Sequence, residues 1–423
     1  MSLDRKSRRP RSRLTHVAAA LLSVPLMAGC GDLLDVDNES DILDEDLNTP
    51  EAVTPVVNGV AGDFGTFYTE TAHNVGLAAF ELWHTGSHGD DRETDEGFMR
   101  RPSSQGNGGY NDASRAYWVA TDAQRRIREA FADSADLRPE MAEVLVWGGF
   151  TLLMAADNWC AFTFDAGPAV TPDEVYQRAE ADFTRAIEVA TAANSLSWQQ
   201  RAVAGRARAR LFLGNFAGAI ADAQLIPNGF EFDFNYSSND SREYNHYPGH
   251  TRDQYRREVG VHPRFFDDPA RWSDPRTPMN DWGPDAVGPD AIRRWVEQDK
   301  YPAYDSDMSV SSWREIRLIE AEAELNQGNL QRAVDLMNET RAFWELAPHG
   351  TATSTAQVLD WLRWERSAEL WLQGQSLLDL RRFDDPLLDV PPGRGGGATR
   401  DSCWEIGEDE WLSNPNLGAT AGG

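Results

Sequence analysis

The sequence predicts a mostly α-helical protein made of helical repeats, with an irregular, loop-rich subdomain set among them. Three observations predict it. Apolar residues recur three and four apart over most of the chain. Two segments, Ala207–Gln224 and Ala321–Asn338, align without gaps at a constant offset of 114 residues. Between them, residues 228–300 lose the helical period and turn rich in Asn, Asp, Pro, Gly and aromatic residues.

Taken in order, residues 1–13 carry six Lys/Arg against one Asp, and a short apolar run then ends in small residues at Gly29. That is the layout of an export signal. The run is too short to span a bilayer. Small residues lead directly to Cys30, as in the lipobox of bacterial lipoproteins, with Met27 where Leu is usual. Cys30 is therefore expected to be lipidated, with residues 1–29 as the lipoprotein signal peptide. Removing them leaves 34 basic against 67 acidic residues, a charge of −33. So acidic a chain excludes nucleic acid and anionic membrane surfaces as partners, and membrane attachment is left to the lipid. Residues 30–50 read as an acidic tether, and residues 51–423 as the folded domain.

Helices are expected over Ser114–Ala132 and Pro139–Asp157, the second apolar all round and so buried. In "TPDEVYQRAEADFTRAIEVAT", Thr171 is the N-cap, Pro172 the first helical residue, and Glu174 completes a capping box. In the aligned pair, Ala207/Ala321, Ala209/Ala323, Leu211/Leu325, Gly214/Gly328, Asn215/Asn329 and Ala219/Ala333 correspond. This is the tetratricopeptide pattern of helix, tight Gly-Asn turn, helix, and it places tetratricopeptide-like repeats at about 114–225 and 308–385. Because adjacent repeats recur every 34 residues, an offset of 114 means that the array is interrupted, by the insert at 228–300. A second irregular stretch is expected at Ser87–Tyr110. Loops this long are usually functional or disordered, and their aromatic content argues against disorder.

Of fifteen tryptophans, those in helical pattern (Trp118, Trp147, Trp198, Trp313, Trp361, Trp364, Trp371) read as core. Trp83, Tyr110, Trp272 and Trp282 border or lie in the irregular stretches and are the ligand candidates, since a flat ring stacks on a sugar while loop polar groups fix its orientation. His84, His88, Asp90 and Asp91 lie close in sequence, but Gly86 and Gly89 argue against a regular helix and no third ligand stands at a recognisable spacing. No metal site is assigned. Cys160 and Cys403 remain once Cys30 is set aside; an even pair in an oxidising compartment suggests a disulfide, and spacing alone does not exclude two separate buried thiols.

Five motifs in order resemble the SusD/RagB outer-membrane nutrient-binding lipoproteins: "CGDLLDVDN" after the lipobox, "TPDEVYQRAEADFTRAI", "REIRLIEAEAELNQGNLQRAVDLMNETR", "WERSAELWLQGQSLLDLRRF" and "CWEIGEDEWLSNPNLG". The resemblance implies a SusD-like α-superhelix and a binding protein, not an enzyme, with no cofactor. It implies an oligosaccharide or peptide ligand, a SusC-like TonB-dependent transporter as partner, and a lipid-anchored place on the cell-surface face of the outer membrane. Two departures stand out. Asp157-Asn158-Trp159-Cys160 replaces the family's Tyr-Gly-Asp-Val-Pro, and Glu405-Ile406-Gly407 its Pro-Ile-Pro. Each brings a cysteine, which favours a Cys160–Cys403 bridge. Within the family block, Glu365, Arg366, Asp379 and Arg381 are expected to pair ions that orient the last helices. The alternative function is a tetratricopeptide scaffold for a protein partner, without nutrient binding.

Overall fold

The computed structural model describes residues 43–252, 256–393 and 395–417. Cys30, the signal segment and most of the tether lie outside them. Among the described residues no helix is long and apolar enough to cross a membrane.

The fold is mostly helical. Helix α1 (Val53–Ala78) is followed by a short strand β1 (Leu82–His84), α2 (Gly89–Asp95), α3 (Ser104–Phe131), α4 (Pro139–Asn158), α5 (Pro172–Ala192), α6 (Leu196–Phe212) and α7 (Phe216–Ala223). These helices pack in a chain: α1 on α3 and α4, α3 on α4, α4 on α5, α5 on α6, and α6 on α7. As its sequence requires, α4 is buried almost all round. Two glycines open a slot for Phe183 of α5: a Cβ at Gly149 or Gly205 would meet that ring at 2.6 or 2.2 Å. The capping box at Thr171 forms, with the Thr171 hydroxyl and the Glu174 backbone and side chain in reciprocal contact.

Among its described residues the insert holds four strands and three short α-helices: β2 (Glu231–Phe234), α8 (Tyr247–Thr251), β3 (Val259–Val261), α9 (Pro263–Phe266), α10 (Pro269–Trp272), β4 (Met279–Asp281) and β5 (Val296–Gln298). Strand β6 (Met308–Ser312) then leads into α11 (Trp313–Asn326), α12 (Leu330–Phe343), α13 (Thr355–Glu369), α14 (Ser376–Arg382) and α15 (Glu408–Ser413). The strands pair antiparallel in twos, β1 with β3, β2 with β6 and β4 with β5.

The pairing of β2 with β6 closes the insert at its base. It returns the chain beside the point where it left, so α11 packs on α7 and the array interrupted in sequence continues in space. The join is polar as well as apolar. Arg208 of α6 meets Glu315 of α11 at 2.6 Å, both buried. Arg317 donates to the carbonyls of Ala223, the last residue of α7, and of Ile226 in the turn that follows it. The helices α11 to α13 enclose a second, smaller core around Leu318, Val334, Met337 and Leu362.

Ser87–Tyr110 departs from the expectation of an irregular stretch. It contains α2 and the first two turns of α3. The glycines of "SQGNGGY" lower helix propensity, but the Ser103 side chain caps the helix by accepting from the Gly106 N–H, and tertiary packing does the rest.

Candidate functional site

Strand β1 pairs with β3 in the register Leu82↔Val261, Trp83↔Gly260, His84↔Val259, so the segment after α1 and the insert meet on one face. Side chains lock the junction. Glu258 accepts from the Ser87 and His88 N–H groups at 2.5 and 3.2 Å. These bonds, together with the charge of His88, outweigh the upward push of burial and hold its carboxyl below the usual range. Arg293 of the insert pairs with Asp95 of α2 at 3.0 Å and donates to the His84 carbonyl. Burial still lifts Asp95 to about 6.

The two faces of β1 differ, as strand alternation requires. Half-buried Trp83 stands against His262 and Phe266, with the Arg293 guanidinium 5.6 Å from its ring. Burial and the nearby Arg264, Arg400 and Arg293 push His262 down to about 3 and keep it neutral. Trp282 follows β4 and is 56% exposed. Its indole N–H donates to Glu297 at 3.0 Å, and Arg252 holds the same carboxylate from 3.0 Å. The ring edge is thus fixed while its face is free. Trp272 ends α10 and is exposed. Its neighbour Arg271 lies 4.8 Å over Trp364, and both line a cavity of about 340 Å³ with Phe383.

Tyr110 requires a correction. It is 1% exposed, packs on Trp159 and Phe162, and its hydroxyl is bonded to Thr163. No ring face remains for a ligand. Trp118 requires the opposite correction, being 57% exposed instead of core, at the rim of a cavity with Tyr117, Phe164 and Arg178.

A polar cavity of about 640 Å³ opens where α1, α2, α3 and α8 converge. Glu70 and Asn74 come from α1, Asp90 and Asp91 from α2, Gln105 and Asp112 from α3, and His250 from α8. His84 and His88 do not share a helix. His84 is buried in β1, and His88 immediately precedes α2. Asp91 meets His88 at 3.4 Å, three residues before it, and it also meets His73 and His250, which come from other elements. No local spacing announces the meeting with His73 and His250.

The family-block residues are distributed in the structure as follows. Glu365 is fully buried between Arg276 at 2.6 Å, Arg341 at 2.5 Å and His349 at 2.9 Å. Against the cost of burial, His349 and the two arginines hold it at about 2. Arg366 pairs with Asp379 at 2.8 Å. Arg381 donates instead to the carbonyls of Ser402 and Asp157. Cys160 and Cys403 form a disulfide with Cα atoms 5.1 Å apart, and the Cys160 N–H donates to the Trp404 carbonyl beside it.

Residues 291–403 match the model of the SusD family. No curated protein matches the chain in sequence. Among solved structures, a SusD superfamily protein from Bacteroides vulgatus superposes with a TM-score of 0.66 at 16% identity, covering 86% of this chain and 97% of its own. A SusD-like carbohydrate binding protein from the same organism gives 0.68 at 17%, covering 87% and 97%. A laminarin binding SusD-like protein gives 0.61 at 16%, covering 86% and 98%. At these identities the likeness is one of fold, extending over nearly all of each relative. The chain thus has the SusD fold and carries a SusD family segment in residues 291–403.

Proposed function

We propose that this chain is a binding protein for an oligosaccharide, tethered to the outer membrane through a lipidated Cys30, that passes its ligand to a SusC-like TonB-dependent transporter. The observation that carries the reading is the β1–β3 pairing. It brings together two segments that lie 171 positions apart at Ser87 and Glu258, joining the strand that carries Trp83 to the insert that carries Trp282. An indole whose N–H is already bonded and whose face is exposed loses little freedom on stacking against a sugar, which suits it as a platform. The carbohydrate-binding and laminarin-binding proteins that share the fold make a glucan the first ligand to try. Acidic surface charge fits a neutral glycan, and the helical array supplies a rigid docking face.

Isothermal titration of the purified chain with laminarin and a panel of other oligosaccharides tests the reading. Trp282→Ala is expected to weaken binding by about 30-fold, the equivalent of about 2 kcal/mol for a central aromatic contact. Trp83→Ala and Trp272→Ala bound the platform. A panel without a single binder, or all three variants binding like the parent, overturns the proposal.

A further inference from the structure

We propose that His73, Asp91 and His250 form a binding site for a zinc-type divalent cation at the edge of the polar cavity. The three residues come from α1, α2 and α8, and one donor atom from each lies within 4.8 Å of the others. The separations are informative. His73 Nε2 stands 3.7 Å from Asp91 Oδ1, and His250 Nδ1 stands 3.6 Å from Asp91 Oδ2. Both are too long for a hydrogen bond, whose N···O distance centres near 2.9–3.0 Å. Each imidazole faces a different oxygen of the one carboxylate, at a distance somewhat longer than the edge of a tetrahedron drawn around zinc, roughly 3.3–3.4 Å for ligand bonds of about 2.0–2.1 Å.

Burial supplies the independent observation. His73 is 3% exposed, and neither of its ring nitrogens has a hydrogen-bond partner. Asp91 Oδ2 and His250 Nδ1 are also buried without one. Unsatisfied polar atoms this deep are rare and costly, and here three residues bring them into one cluster. The imidazole and carboxylate donor set suits zinc over calcium or magnesium, which favour oxygen donors alone. Asp91 Oδ1 also accepts from Gln105 at 2.5 Å, an outer contact that orients the carboxylate. Asp91 and His250 both line the cavity, so the fourth position faces it, with His88 Nδ1 3.4 Å from Asp91 Oδ2 at its rim. Glu70 and Asp90 add a field that draws cations in. A bound ion would join the insert to α1 and α2 and offer an open position to a ligand oxygen.

The test needs no sugar, so its outcome is independent of the glycan reading. The untagged chain is stripped with chelator and titrated with zinc chloride, with bound metal counted after dialysis. One ion per chain is expected, with a raised thermal midpoint and, on cobalt substitution, the strong visible bands of a tetrahedral site. Removing an outer-shell partner costs 10–100-fold in affinity, so loss of a direct ligand should cost about 100-fold or more. Asp91→Asn tests the central ligand. His250→Ala removes a partly exposed side chain and should keep the helical circular dichroism of the parent. Well under one ion per chain in the parent, or parental binding in both variants, overturns the proposal.

Discussion

Glu81 sits just before β1, fully buried, and accepts from the Ser376 hydroxyl at 2.5 Å and the Leu372 N–H at 3.3 Å. Burial outweighs these contacts and the attraction of Arg264, lifting the carboxyl to about 7. An acid whose folded pKa exceeds its unfolded value binds more protons folded than unfolded, so it loses stability as the pH rises between the two values. For Glu81 the window runs from about 4.5 to about 7, and the loss is on the order of 3 kcal/mol. Glu81→Gln, which stays neutral, should therefore gain on the parent as the pH rises from 5 to 8 in parallel thermal melts. A constant difference between the two would show that Glu81 does not carry that penalty. Exposure of single residues was the least legible level of the chain. Tyr110 and Trp118 are both aromatic, both on α3, and their roles are reversed from the sequence reading. Eight residues advance a helix by about 80° beyond two full turns. That rotation carries Tyr110 into the core and Trp118 out of it, and periodicity alone does not say where the buried stripe ends.

Among the elements, the two Gly-Asn turns were fully legible. Gly214 and Gly328 have φ of +73° and +84°, in the left-handed region where a side chain is strained. A Cβ at either position would meet no atom within 4 Å, so backbone conformation alone sets the cost of substitution. Gly59 gives the matching control. It lies exposed within α1, with equally open space around it. Gly328→Ala should lower stability by about 1 kcal/mol, and Gly59→Ala should raise it by a similar amount. Urea midpoints with unchanged slope would show it, and the same sign for both substitutions would contradict the turn argument. The capping box at Thr171 was legible for a related reason: cap and turn chemistry is local. The start of α3 was not, because three glycines in its first two turns mask a helix that depends on neighbours for support. At Gly106 a Cβ would lie 2.3 Å from the Arg100 carbonyl, so a residue that reads as a helix breaker is required there by close packing.

At the scale of the molecule, the repeat offset announced that the array was interrupted, but not that β2 and β6 would pair and restore it. Strand pairing across 70 or more residues leaves no periodic trace. The same holds for the candidate site. Trp83 and Trp282 were legible as aromatics bordering or lying in the irregular stretches, whereas the meeting of His73, Asp91 and His250 depends on three elements folding together. The C-terminal segment shows what such long-range ties contribute. Trp404 bridges in parallel to Trp159, their rings 5.3 Å apart, and the Trp404 N–H donates to the Asn158 carbonyl. The segment is thereby laid against the end of the buried helix α4, with Cys160 and Cys403 bonded across a sequence separation of 243. Closing so long a loop in the unfolded chain is worth about 5 kcal/mol in the chain-entropy treatment, an upper figure when the unfolded chain keeps some structure. The double variant Cys160→Ser/Cys403→Ser should therefore unfold at lower urea, and its m-value should rise, since an uncrosslinked chain exposes more surface on unfolding. Alkylation of the parent under denaturing conditions without reductant should leave Cys160 and Cys403 unmodified and recover their peptides linked. Finding both thiols labelled would mean that the C-terminal segment is held without the disulfide, by the tryptophan pair, its backbone bonds and side-chain contacts such as that of Arg381 with the Ser402 carbonyl.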